Sequence, residues 1–78
     1  MKIFQNMKIE EIEVGNLYFV LFKTNYVAKN INYNVGDVKI ALVLKITASE
    51  IQCLIEKNII SMMYNEFLEK INLYEYNS

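Results

Sequence analysis

The sequence predicts a small, mostly β domain, and three observations support this prediction. Residues 38–47 alternate between apolar side chains and a more mixed set, which is the period of a strand with one buried face. Residues 17–22 form an unbroken run of apolar side chains rich in aromatic and branched residues, also typical of a strand. Gly15 and Gly36 each lie in a turn just ahead of one of these segments.

The first half of the chain predicts a turn, a strand and a long loop. Gly15, which adopts a positive φ easily, places a turn at residues 13–16, and residues 17–22 follow as the first strand. Residues 23–36 show little periodicity and contain four asparagines and two tyrosines. Loops of this length are uncommon inside small domains and are often functional, so we treat residues 23–36 as a candidate binding segment.

The second strand, residues 38–47, has two unlike faces. We expect the entirely apolar face to line the core, because the other face carries Lys39 and Lys45. Ten residues is long for a strand, long enough to bend and serve two sides of a closed sheet. The residues expected to face the core are Val38, Ile40, Leu42, Leu44 and Ile46.

The segment after residue 48 fits two structures. As strands, residues 51, 53 and 55 share one face, and residues 59–63 pair back after a turn. As helix, Ser49 and Gln52 form a capping box ahead of an apolar stripe. The stripe then moves to nearly the opposite side, so the helical version needs two helices that break near Asn58.

Both versions end in a helical turn. Asn65 as N-cap and Glu66 in the first turn favour a helical turn through residues 67–70. Residues 71–76 alternate in character and predict a closing strand.

In the strand version the chain resembles an SH3-like small β-barrel. The resemblance depends on residues 14–16 ahead of the first strand, the long loop in the place of an RT loop, residues 35–38 entering the second strand, and residues 64–70 as the single turn before the last strand. It covers about residues 12–76 and implies a five-stranded small barrel with one short helical turn near the C-terminus. The alternative is an α+β domain, a β-hairpin packed on two C-terminal helices. In both, residues 1–78 are one domain.

The fold resemblance implies little about function, because this superfold includes peptide binders, nucleic-acid binders and structural modules. The peptide-binding variety uses a groove with tryptophan, which this chain lacks. The chain also has no histidine, two isolated glycines and a single cysteine, Cys53, which is expected to be a packed, inert thiol. Glu10, Glu11 and Glu13 lack the spacing of a calcium loop. We therefore expect no enzyme, no catalytic residue, no cofactor and no metal.

Charge is unevenly distributed along a chain whose formal net charge is −1. Residues 15–49 contain four lysines and one aspartate, whereas both ends are acidic. Lysines beside tyrosines are the means by which single-strand binders neutralise phosphate and stack bases. A nucleic-acid-binding barrel that uses Lys29, Lys39 and Lys45 with Tyr26 and Tyr33 is therefore one hypothesis. The acidic balance and the absence of arginine argue against it.

The function that the sequence favours is a non-enzymatic protein-binding module, which acts through residues 23–36 and the adjoining strand face. Tyrosine offers a large contact area with a polar tip, as in many protein interfaces. A structural, self-associating module is a further alternative, because a chain this apolar can complete its core across a two-fold axis. The candidate partner-binding residues are Tyr26, Lys29, Asn32, Tyr33, Lys39 and Lys45.

Residue usage adds an expectation about origin. All eight cations are lysine, and isoleucine, asparagine and tyrosine are abundant, as AT-rich codons would produce. This favours a low-GC bacterium, its phage or a mobile element, and an inhibitor that occludes a host enzyme or defence complex. The N-terminus shows no signal peptide and no apolar run spans a bilayer, so we expect a cytoplasmic protein without membrane contact.

Overall fold

The computed structural model describes residues 7–72, and this part of the chain is mostly β, as predicted. It contains no α-helix, so the alternative with two C-terminal helices is wrong for the described residues: the segment after residue 48 forms a hairpin. In chain order the elements are a 3₁₀ turn at Ile9–Glu11, β1 (Leu17–Leu21), β2 (Tyr26–Ala28), β3 (Ile31–Tyr33), β4 (Val38–Ile46), β5 (Ile51–Ile55), β6 (Asn58–Met62), a 3₁₀ turn at Tyr64–Glu66, and β7 (Phe67–Lys70).

Five strands form one antiparallel sheet in the order β6-β5-β4-β1-β7, and β2 and β3 form a separate hairpin. The five-stranded sheet is confirmed, and a 3₁₀ turn precedes its last strand, but the described residues contain a second 3₁₀ turn, Ile9–Glu11, that was not predicted. The sheet does not close into a barrel: within residues 7–72, β6 pairs only with β5 and β7 only with β1. The hairpin β2–β3 occupies the predicted loop, between Phe22 and Gly36.

The core lies against one face of the sheet. Tyr18 of β1 and Phe67 of β7 are fully buried, and their rings meet edge to face with centroids 5.4 Å apart. Such a pair contributes roughly 0.5–1.5 kcal/mol beyond the area that it buries. The strand β5 buries Ile51, Cys53 and Ile55, which confirms their predicted common face, and β6 adds Ile60 and Met62 from the inner side of the same hairpin.

The predicted core face of β4 is wrong for residues 38–44, although the side chains alternate there as predicted; Ile46, the last residue predicted to face the core, does pack against it. Ala41 and Val43 are buried, whereas Val38 and Ile40 are half-exposed on the other side of the sheet. The reason is the pairing between strands, because residues directly opposite each other share a face. Ala41 lies opposite fully buried Tyr18 and therefore faces the core with it.

A β-bulge then separates Lys45 from Lys39, which were expected to share one strand face. The register shifts between Val43 and Lys45, so Leu44 is an extra residue on β4. Lys39 pairs with buried Val20 and belongs to the inner side, whereas Lys45 pairs with Gln52 on the outer side.

The predicted helical turn at residues 67–70 is also wrong in position. The 3₁₀ turn is Tyr64–Glu66, and Phe67–Lys70 is strand β7. Asn65 lies inside the turn and is not its N-cap; Met63 holds that position, and its N–H donates to the Glu66 carboxylate at 3.0 Å. Most of the predicted closing strand at residues 71–76 lies outside the described residues.

Candidate interaction site

The candidate binding segment, residues 23–36, is an ordered structure because it forms the hairpin β2–β3. Its strands pair Tyr26 with Tyr33 and Val27 with Asn32, and its turn contains Asn30 in the left-handed region at φ 64°. Asparagine tolerates that conformation better than most residues, which explains a tight turn without glycine. Lys29 lies in the same turn and is exposed to solvent at the hairpin tip.

Hydrogen bonds at the base of the hairpin hold it in place. The Asn25 side-chain oxygen accepts the N–H of Val35 at 2.9 Å, and Asp37 accepts the N–H of Asn34 at 2.8 Å. The N–H of Gly36 donates to the carbonyl of Phe22 at 2.9 Å, with Gly36 at φ 95°, where glycine has no steric penalty. The segment is therefore tied at its base to the end of β1 and the start of β4.

Tyr33 connects the hairpin to the sheet. It is only 6% exposed, and its ring packs on Phe22 with centroids 4.8 Å apart. Its hydroxyl donates to Glu56 Oε1 at 2.7 Å, in the turn between β5 and β6. Lys39 Nζ lies 3.5 Å from the same oxygen and 5.4 Å from the Tyr33 ring centre. We call these three residues, Tyr33, Lys39 and Glu56, the Tyr33 cluster.

The Tyr33 cluster shifts two pKa values in opposite directions. Burial, followed by the hydrogen bond to Glu56, raises the pKa of the Tyr33 hydroxyl. The hydrogen bond from Tyr33, followed by the charge of Lys39, lowers the pKa of Glu56. Both shifts favour a protonated phenol bonded to an ionised carboxylate at neutral pH.

Removing the Tyr33 hydroxyl tests this cluster. We expect Tyr33→Phe to lower the free energy of unfolding, because it removes the hydrogen bond from the hydroxyl to Glu56. The folded protein holds the pKa of Glu56 below its ordinary value of 4.5, so this contribution is present above pH 4.5 and is lost as pH falls through the lowered value. Urea titrations at pH 7 and pH 3 should show a larger difference between wild type and variant at pH 7. An equal difference at both pH values would contradict the ionised bond.

The predicted site residues are therefore only partly brought together. Tyr33 and Lys39 are in contact, and Tyr26 packs against the core from the same hairpin. Lys29 and Asn32 are exposed on that hairpin. Lys45 lies on the other face of the sheet. Whether these residues contact a partner stays a prediction.

Cys53 occupies the inward position that the sequence predicted. It is fully buried, and burial, followed by the charge of Glu66, raises the pKa of its thiol to about 12. A thiol with that pKa is protonated at neutral pH and is a poor nucleophile. Within residues 7–72 no three His, Cys, Asp or Glu side chains are grouped as a metal site would require. The same residues include no helix of the length and apolarity needed to cross a membrane.

One surface was not recognised from the sequence: the outer face of the sheet is apolar across four strands. Leu17 pairs with Leu42, Leu42 with Leu54, and Leu54 with Ile59, which makes a continuous row. The signal in the sequence is that β1 is apolar on both faces and that β4 has an unbroken apolar set of alternate residues, which the structure places outside from Val38 to Leu44. We call this surface the outer patch; it consists of Leu17, Phe19, Leu21, Val38, Ile40, Leu42, Leu44, Leu54 and Ile59.

Comparison with known proteins finds no matching family model, and no curated protein or solved structure with significant similarity to this chain.

Proposed function

We propose that this protein is a non-enzymatic protein-binding module that contacts its partner through the hairpin β2–β3. The observation that supports this most is the exposure of Val27, which is 75% accessible although it lies in an ordered strand. Asn32 is its cross-strand neighbour and is also exposed. An apolar side chain beside an amide, held on a preformed hairpin, binds without a large loss of conformational entropy.

The positive charge of the hairpin segment indicates which kind of protein surface it can bind. Residues 23–36 contain two lysines and no acidic residue. Lys29 at the tip would be attracted to carboxylates, and Val27 would fill an apolar depression. We therefore propose a partner that has an acidic surface around a small apolar pocket. The hairpin would occupy this surface and so block access to it. We propose further that the protein is an inhibitor from a phage or mobile element of a low-GC bacterium, which would occlude a host enzyme or defence complex.

We include the SH3-like resemblance in this proposal, and the order of the elements along the chain supports it. A long hairpin lies between the first two sheet strands, and a 3₁₀ turn precedes the last. Fold alone does not choose among the functions of that superfold.

Nucleic acid is the other anionic partner that a lysine-bearing hairpin suits, and the geometry favours it less. The Tyr33 ring is buried against Phe22 and does not offer a face on which a base stacks. Lys39 is paired with Glu56, and Lys45 lies on the other face of the sheet. The five residues of the nucleic-acid hypothesis therefore do not form one basic, aromatic surface.

A pull-down from the lysate of a low-GC bacterium, with and without nuclease, tests the proposal. We expect the wild type to retain a discrete acidic protein after nuclease treatment, and the double variant Val27→Ser, Lys29→Ala to lose it. Val14→Ser is the matched control, because Val14 is an exposed valine in the turn at the other end of β1. Capture of nucleic acid alone, released by salt, would contradict the proposal, since phosphate contacts weaken steeply with salt.

A further inference from the structure

Strand β6 forms an unprotected edge of the sheet. Within residues 7–72 it pairs only with β5, through five consecutive residue pairs without a bulge. Natural proteins protect edge strands with charged side chains, proline, a bulge or a covering segment, because an unpaired row of N–H and C=O groups attracts another strand. The strand contains no charged residue and no proline, and its Ile59 and Ser61 are exposed. Among the described residues, β6 is therefore the strand best suited to pair with a partner.

The other edge of the sheet, β7, has the protections that β6 lacks. A bulge at Leu68 interrupts its pairing with β1, and the strand ends in exposed Lys70. The carbonyl of Phe67 also accepts the N–H of Met7 at 3.2 Å. From this contrast, and from the backbone geometry described below, we infer that β6 pairs with β6 of a second copy of this chain, antiparallel across a two-fold axis.

The turn between β5 and β6 determines which backbone groups of β6 point away from β5. Its two residues, Glu56 and Lys57, both have a positive φ, 48° and 73°, as in a type I′ turn. The residues that flank such a turn, here Ile55 and Asn58, exchange both of their backbone hydrogen bonds. Hydrogen-bonded and non-hydrogen-bonded pairs then alternate along the rest of β5 and β6.

The backbone groups of every second residue of β6 consequently point away from β5. These residues are Ile59 and Ser61, each with one N–H and one C=O. No described residue forms a backbone–backbone hydrogen bond with them on that side. The next residue with this orientation, Met63, donates its N–H to the Glu66 carboxylate at 3.0 Å, and its carbonyl accepts the Glu66 N–H at 3.0 Å. The open edge is therefore limited to four backbone groups, two on each side of Ile60.

This pattern selects a second copy as the occupant, because the open edge is complementary to itself. In an antiparallel pair centred on Ile60, Ile59 of each copy lies opposite Ser61 of the other, and every free group finds a partner. The two neighbouring registers instead align free groups with the turn residue Lys57 or with Met63, whose N–H and C=O are already bonded. The two-fold axis then passes between the two Ile60 residues, perpendicular to the sheet, and relates the bonds on its two sides, as a two-fold interface requires.

The side chains of β6 are compatible with this pairing. Like charges that lie opposite each other destabilise a strand pair, and β6 carries no charge. The nearest charge in the turn, Lys57, would lie opposite uncharged Met63 of the other copy and about 20 Å from the second Lys57. Two paired strands of this length cover less area than a standard interface, so we expect a weak dimer with a dissociation constant of roughly 10 µM to 1 mM.

The oligomeric state of the full chain tests the inference. We expect sedimentation equilibrium over roughly 1 µM to 2 mM to show a monomer of 9.2 kDa converting to a dimer. Ile59→Lys should raise the dissociation constant roughly tenfold or more, because it places two lysines within about 8 Å as diagonal neighbours across the axis. The matched control is Ile40→Lys, which changes another exposed isoleucine of the outer patch but on the central strand β4, and it should leave the dimer intact. Equal weakening by both variants, or a folded wild type that stays monomeric at every concentration, would overturn the inference.

Amide NMR spectra of the wild type, recorded from low to high concentration, test the pairing without any variant. We expect the amide protons of Ile59 and Ser61 to move downfield as concentration rises, because each gains a hydrogen-bond acceptor only in the dimer. The amide proton of Ile40 should stay in place. Shifts that occur in the outer patch on β1 and β4 but not at Ile59 and Ser61 would overturn the edge pairing. The inference goes beyond the proposed function, since neither experiment involves the hairpin residues Val27 and Lys29.

Discussion

Phe67→Ala is expected to lower the free energy of unfolding by about 3–5 kcal/mol, the usual cost of removing a buried aromatic ring. Phe67 is fully buried, packs edge to face on Tyr18 and pairs with Val20 across β1 and β7. The backbone carbonyl of Phe67 also accepts the N–H of Met7 at 3.2 Å. A domain of this length has roughly 4–12 kcal/mol of stability in total, so the variant should be marginal or unfolded at 37 °C.

Thermal and urea unfolding measure this effect, and the next residue supplies the control. Leu68 is the extra residue of a β-bulge in β7 and is only half-buried, so Leu68→Ala should cost about 1 kcal/mol or less. If Phe67→Ala does not fold, Phe67→Leu keeps most of the volume and should remain measurable. Equal losses for Phe67→Ala and Leu68→Ala would show that the Phe67 ring is not central to the core.

Glu66→Ala is expected to have the second largest effect, a loss of about 2–4 kcal/mol. Glu66 is a nearly buried acid whose two carboxylate oxygens accept the N–H groups of Met63 at 3.0 Å and of Lys23 at 3.2 Å. The alanine variant leaves both part-buried N–H donors without this acceptor. It also detaches the start of the long hairpin segment from the second 3₁₀ turn.

The first 3₁₀ turn provides a matched control, because Glu11 has the same position in it. Glu11 accepts the N–H of Lys8 at 2.9 Å, but it does so in solvent. Glu11→Ala should therefore cost about 1 kcal/mol or less. Glu66→Gln keeps one carbonyl acceptor and should fall between the two alanine variants. Equal unfolding midpoints for Glu11→Ala and Glu66→Ala would contradict the proposed role of the buried carboxylate.

The sequence was most informative where the face of a strand follows from local alternation. Ile51, Cys53 and Ile55 were predicted to share a face, and they do: Gln52 and Leu54, between them, lie on the other face, although only Gln52 is polar. In β4 both sets of alternate residues include apolar side chains, so alternation defines the period but not the side. The side is decided by the partner strand, through the pairing of Ala41 with Tyr18. That contact joins residues far apart in the chain, and local pattern carries no information about it.

The candidate site also depends on contacts between residues far apart in the chain, which the local sequence pattern does not predict. Residues 23–36 were predicted as a loop, whereas much of the segment pairs into β2 and β3, for which the local sequence gives only weak signals. Tyr33 was expected to offer contact area to a partner, but it is buried. Its hydroxyl donates a hydrogen bond to Glu56, which is 23 residues away in the chain. The outer patch is composed of ordinary strand residues, so its exposure follows only from the arrangement of the sheet.

The bulge at Leu44 also determines where the length of this chain can change. Leu44 has no counterpart of its own on β5, because Val43 pairs with Cys53 and Lys45 with Gln52. Loss of one residue at this point leaves every other β4 side chain on its present face. Loss of one residue elsewhere in β4, at Leu42 for example, exchanges inside and outside for the rest of the strand. Length variants of this fold should therefore differ at residue 44 before they differ anywhere else in β4.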